Sequence, residues 1–125
     1  MQDKKNIFLK FITASNTPFP IFKKIGLMFP NTTFQIEFAD EDIGSSNCGI
    51  ITITNTHIHV VQPKNMSLKE EDIKWSKFAF ELIHPNIDRR SYGFNHNWEY
   101  SEETAEAYEK EQINKEKIKF KLKQL

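Results

Sequence analysis

A single cysteine, Cys48, stands in this chain of 125 residues, so no internal disulfide can form and the fold rests on its apolar core. No apolar run approaches the ~20 residues that a membrane helix needs. The opening MQDKKNIFLKFITASNTPFP breaks its apolar residues with Lys10 and follows them with prolines, which fits neither a span nor a signal peptide. The reading is a soluble cytoplasmic protein without membrane contact. Net charge is also absent, 17 basic residues against 17 acidic, which argues against a generally basic nucleic-acid binder. No repeat at a fixed period and no low-complexity segment occurs, which excludes a solenoid.

What the chain has is phenylalanine, eleven of them, and an uneven distribution of charge. Five basic and five acidic residues precede Pro63, leaving twelve of each sign beyond it. The apolar first half is expected to supply the sheet and the charged second half solvated helices. In the tail, Glu99, Glu102, Glu103, Glu106, Glu109 and Glu111 precede Lys115, Lys117, Lys119, Lys121 and Lys123, an order that complements a helix macrodipole.

Periodicity supplies the elements. Ile7 to Thr13 is an apolar run rich in β-formers and reads as a buried first strand. Pro20 suits the first turn of a helix, Ile21, Ile25 and Met28 recur at helical spacing, and Pro30 prevents continuation past Phe29. Thr33 to Phe38 alternates with period two. Ile51 and Ile53 occupy odd positions but Ile58 and Val60 even ones, so a turn or bulge near Asn55 and Thr56 is required, and the reading is a hairpin. Ser67 and Glu70 form a capping box ahead of a helix carrying Leu68, Trp75, Ala79 and Leu82 on one face until Pro85. Ser101 can cap a further helix through Tyr108 to about Ile113, with Glu106 to Lys110 and Glu111 to Lys115 as i,i+4 pairs. Beyond it Ile118, Phe120 and Leu122 alternate with lysines, as in a lysine-guarded edge strand or a frayed helical end.

The expected fold is therefore a single α+β domain of ferredoxin-like type: residues 1–98 form the core and 99–125 a charged helix and basic end. The mainly antiparallel sheet is expected to be covered on one face by the helices beginning near Pro20 and Ser67, burying Phe34, Ile36, Phe38, Ile51, Ile53 and Trp75.

Residues 18–49, PFPIFKKIGLMFPNTTFQIEFADEDIGSSNCG, carry a proline-containing lead into a helix, an FP-x-x-x-F strand at Phe29, Pro30 and Phe34, an acidic ADEDIG loop at Ala39 to Gly44, and Asn47 to Gly49. This stretch resembles the YubB ferredoxin-like domain family of plasmid and phage proteins. The resemblance implies a ferredoxin-like fold and a mobile-element origin, with no catalytic residues to transfer.

Three groups of residues carry chemistry. Asp40, Glu41 and Asp42 concentrate carboxylates, but counting from Asp40, Gly44 is fifth and Ile51 twelfth, where an EF-hand-type loop needs glycine sixth and Glu twelfth. A tight turn is the better reading, with Asp and Asn side chains bonding backbone N–H groups and Gly44 and Gly49 in unusual dihedrals. His57 and His59, two apart on a strand, share a face, yet with Cys48 they lack zinc-type spacing. No metal or cofactor is expected.

The third group is DRRSYGFNHNW, Asp88 to Trp98, which holds both arginines, Arg89 and Arg90, with Tyr92, Phe94, His96 and Trp98 at every second position. These side chains dominate interface hot spots and stack on unpaired bases; equally, they suit the inward face of a strand. With abundant interface chemistry and no set of nucleophile, base and orienter, the expectation is a non-enzymatic accessory protein that binds a host protein or ribonucleoprotein. Inhibition of a CRISPR nuclease fits the implied provenance. The alternatives are a single-stranded RNA-binding module and a small metal- or histidine-dependent ribonuclease. The binding surface is expected to comprise Arg89, Arg90, Tyr92, Phe94, His96, Trp98, Lys115, Lys117, Lys119, Lys121 and Lys123.

Overall fold

The computed structural model describes residues 19–123. The strand expected at Ile7 to Thr13 lies outside them. The described elements run α1 (Phe19–Met28), β1 (Thr33–Ala39), β2 (Cys48–Thr54), β3 (His57–Val61), α2 (Lys69–Ile83), a 3-10 helix (Arg89–Tyr92) and α3 (Glu102–Lys123). The three strands make one antiparallel sheet in the order β1-β2-β3. With its three helices this is a single α+β domain, consistent with a ferredoxin-like arrangement.

Pro20 sits in the first turn of α1, where its missing N–H costs nothing, and Pro30 follows the last turn, whose final bond runs from Phe29 N to Ile25 O. The hairpin between β2 and β3 turns at Asn55 and Thr56, as the change of apolar parity requires, with Asn55 in the left-handed region at φ 53°. In the resulting register Phe34 and Ile36 stand opposite Ile53 and Ile51, which in turn face Ile58 and Val60. That face packs against Phe22 and Ile25 of α1. Ile51 and Ile53 on the central strand are fully buried, whereas Phe34, Ile36 and Phe38 on the outer strand are only half-buried.

The two helices do not share a face. Trp75 and Ala79 of α2, with Phe78 beside them, pack on Cys48 and Ala39, whose side chains alternate to the side opposite Ile51 and Ile53. α1 and α2 therefore sandwich the sheet, because β2 buries both parities at its start: Cys48 below, Gly49 and Ile51 above. Gly49 owes its identity to packing, since a Cβ there would run into Val61 O and the Phe38 ring, and its φ is not positive as expected.

The capping box at Ser67 does not form. Both the Ser67 hydroxyl and its N–H donate to Asn65 Oδ1, Leu68 occupies the N-cap without a side-chain bond, and Leu68 is 55% exposed. An Asx turn has captured the hydroxyl that was to cap the helix. The start of α2 relies instead on Glu70, Glu71 and Asp72 in its first turn. Among the described residues no helix is long and apolar enough to cross a membrane.

Candidate functional site

The aromatic stretch after α2 is not a strand. Asp88 caps the 3-10 helix by accepting from Arg90 N at 2.9 Å, and Gly93 ends it in the left-handed region at φ 84°. Asn95 then organises a turn, its Oδ1 accepting from the N–H groups of Asn97 and Glu99, which brings Trp98 to φ 61°. Only Phe94 and Tyr100 form a β-bridge. Two left-handed residues within six positions break the extended chain that an every-second-residue pattern implied.

The rings converge on Phe80 of α2, which is 1% exposed. Tyr92, Phe94, Trp98 and His84 lie with centroids 5.5, 5.9, 5.4 and 5.1 Å from it. Sequence reasoning missed Phe80 and His84; the signal was Ser76 and Phe80, spaced i,i+4 beside the Trp75 and Ala79 face. Tyr92 remains 46% exposed, and His96 is exposed.

Arg90 is already engaged. It donates to Asp88 Oδ2 at 2.9 Å and to Glu111 Oε2 at 2.9 Å, and its guanidinium carbon stands 5.1 Å from the centroid of Tyr108. The Arg90 side-chain and backbone bonds hold the Asp88 carboxyl below its ordinary range, and Lys115 and then Arg90 do the same for Glu111. Arg89 Nε donates to Asn95 O at 3.1 Å and so ties the 3-10 helix to the turn. The adjacent depression, about 350 Å³ and lined by Phe80, Arg89 and Trp98 among others, is open to solvent.

The five lysines have a different setting. α3 continues to Lys123, so of the two expectations for Ile118 to Leu122, edge strand and helical end, the segment is helical. Lysine, glutamate and leucine are good helix formers, Lys121 and Lys123 favour the C-terminal pole of the dipole, and Ser101 caps the start through Oγ to Thr104 N at 3.4 Å. Of the two i,i+4 pairs expected, Glu111 to Lys115 forms at 3.3 Å, and Glu106 to Lys110 does not. Every described side chain from Ile113 onward is exposed, including Phe120 at 63%. Lys119 reaches Glu116 at 3.8 Å, while Lys117, Lys121 and Lys123 have no ion-pair partner among the described residues.

The acidic loop is closed on itself. Asp40 accepts from Asp42 N at 3.0 Å and from Asn47 Nδ2 at 3.4 Å, and Asp40 N donates to Asn47 O. The Asp42 backbone bond, then Asn47, keeps the Asp40 carboxyl below its usual range. Gly44 takes φ 100° in the turn. His57 and His59 are exposed on β3 opposite Thr54 and Thr52. Cys48 is buried, with its thiol turned toward Ser45 O. Among the described residues no group of three or more His, Cys, Asp or Glu side chains is arranged to hold a metal ion.

Compared with known proteins, the chain matches no family model, no curated protein and no solved structure. Geometry alone therefore ranks the surfaces: the arginine and aromatic stretch is largely committed to packing, whereas the distal half of α3 is exposed throughout, its described ion pairs being Lys115 to Glu111 and Lys119 to Glu116 along the helix itself.

Proposed function

We propose that this protein works by stoichiometric binding rather than turnover, as a small phage or plasmid accessory protein that docks on an anionic surface of a host macromolecule. The observation that carries this reading is the distal half of α3, where five lysines and four large apolar side chains, Ile113, Ile118, Phe120 and Leu122, stand exposed. Solvated charge and apolar area of that density add little to stability beyond the helix dipole and two exposed ion pairs, and they are what a partner with acidic groups would cover. The resemblance of residues 18–49 to a mobile-element family supports a host target. A counter-defence role, inhibition of a host nuclease, belongs to the same proposal.

Affinity capture from a bacterial lysate, run with and without nuclease, tests it. The wild-type chain should retain a partner that a variant with all five lysines replaced by glutamine does not. Identical capture by both chains removes the distal helix from the interaction.

A further inference from the structure

Lys115, Lys117, Lys119, Lys121 and Lys123 alternate strictly, and they do so on a helix. Residues two apart on an α-helix lie about 200° apart around the axis, so successive lysines leave on opposite sides. Lys115, Lys119 and Lys123 form one row, Lys117 and Lys121 a second, and the rows are separated by about 180°. Ile118 and Leu122 occupy one flank between them; Phe120 and Glu116 lie toward the other.

Building on the binding role proposed above, we infer that this arm enters the major groove of duplex DNA, one lysine row toward each phosphate backbone and Ile118 and Leu122 toward the base edges. The two-sidedness decides the partner. A membrane surface, an acidic helix or a single strand presents anions to one side of a bound helix and leaves the other row in water. A groove presents phosphates to both. A helix with its side chains is about 10–12 Å across, which matches the ~12 Å major groove of B-form DNA, whereas the major groove of A-form RNA is too deep and narrow to admit side chains.

Of the nearby carboxylates, Glu116 lies away from the Ile118 and Leu122 flank and pairs with Lys119, while Glu111, one heptad before Ile118 and so on that flank, is held by Arg90 and Lys115. Glu102, Glu103, Glu106 and Glu109, exposed on the proximal half, repel phosphate and confine contact to the tip. Nine residues from Lys115 to Lys123 span about 13 Å, close to four base pairs. Apolar side chains touch thymine methyls but read no hydrogen-bond code, so the binding tolerates any sequence and follows phosphate neutralisation.

The test titrates the full chain against a labelled mixed-sequence DNA duplex, its single strand, the matching RNA duplex and poly-glutamate, followed by fluorescence anisotropy. The DNA duplex should bind tightest, scrambling its sequence should change little, and log K should fall against log salt with a slope of about −4, as four or five neutralised phosphates give. Lys117→Gln with Lys121→Gln, and separately Lys115→Gln with Lys119→Gln and Lys123→Gln, should each weaken binding at least about tenfold at low salt, with helical circular dichroism unchanged. Equal affinity for the single strand, or sensitivity to one row alone, overturns the groove geometry. Absence of duplex binding with lysine-dependent lysate capture intact overturns the DNA assignment and leaves the binding role standing. Loss of both removes both.

Discussion

Arg90 and Glu111 lie 21 residues apart in the chain and meet at 2.9 Å, a contact that fixes α3 to the 3-10 helix. The same guanidinium holds Asp88 and rests over Tyr108, so one side chain sets the direction in which the lysine-bearing helix leaves the body.

Arg90→Ala should therefore lower the melting temperature and raise protease sensitivity near the start of α3, which separates it from an ordinary exposed arginine. Its effect depends on pH in a defined sense. The folded-state values of Asp88 and Glu111 are depressed, so their contribution is complete above the ordinary carboxylate range and is lost as pH falls through those lowered values, while Arg90 stays charged throughout. Melts of wild type and variant should differ at neutral pH, and the gap should begin to close only once pH falls below the ordinary carboxylate range of about 4, vanishing below the lowered folded-state values.

Gly26→Ala tests the seat of α1. Alanine is the better helix former by about 1 kcal/mol, yet a Cβ at this position collides with Asn55 O and stands 2.8 Å from Ile53 Cγ2. Because the obstacle is hairpin backbone, α1 must shift, and a net loss of roughly 1–3 kcal/mol in urea unfolding is expected.

Phe80→Ala should cost about 3–5 kcal/mol, a large share of the stability of a domain this size. Phe38→Ala, the truncation that strand periodicity singles out, should cost less, since Phe38 is half-buried at the sheet's outer strand. Paired denaturation curves decide the order, and the Trp98 emission should shift only in the first variant.

For the acidic loop, millimolar calcium, magnesium or zinc should leave the melting temperature unchanged, because the Asp40 oxygens already serve Asp42 N and Asn47 Nδ2. Gly44→Ala, at φ 100°, should destabilise by about 1–2 kcal/mol through backbone strain alone.

Some of this was legible in the residues and some was not. The β1 alternation and the Pro20 to Pro30 helix follow from narrow constraints of period and proline geometry, and the change of parity left only a turn or a bulge near Asn55. The lysine alternation had two solutions. Period two means burial of one face only when a second layer exists; on a solvated helix the same pattern distributes charge around the axis. Ser67 failed as a cap because Asn65, two residues earlier, competed for its hydroxyl at shorter range. In the Asp88 to Trp98 stretch, the informative letters were the turn formers Asp88, Gly93 and Asn95 rather than the aromatics between them. Asp88 and Glu111 as the partners of Arg90 were out of reach, because nothing local links positions so far apart.

The only thiol of the chain is also among its best-hidden groups, seated on the sheet beneath Trp75 and Ala79, and burial raises its pKa. A reagent can reach Cys48 only when its cover of α2, Ile43 and Met66 opens, so the alkylation rate under native conditions counts those openings. The molecule thus carries its own clock for the opening of one end of the sheet, read at a single atom.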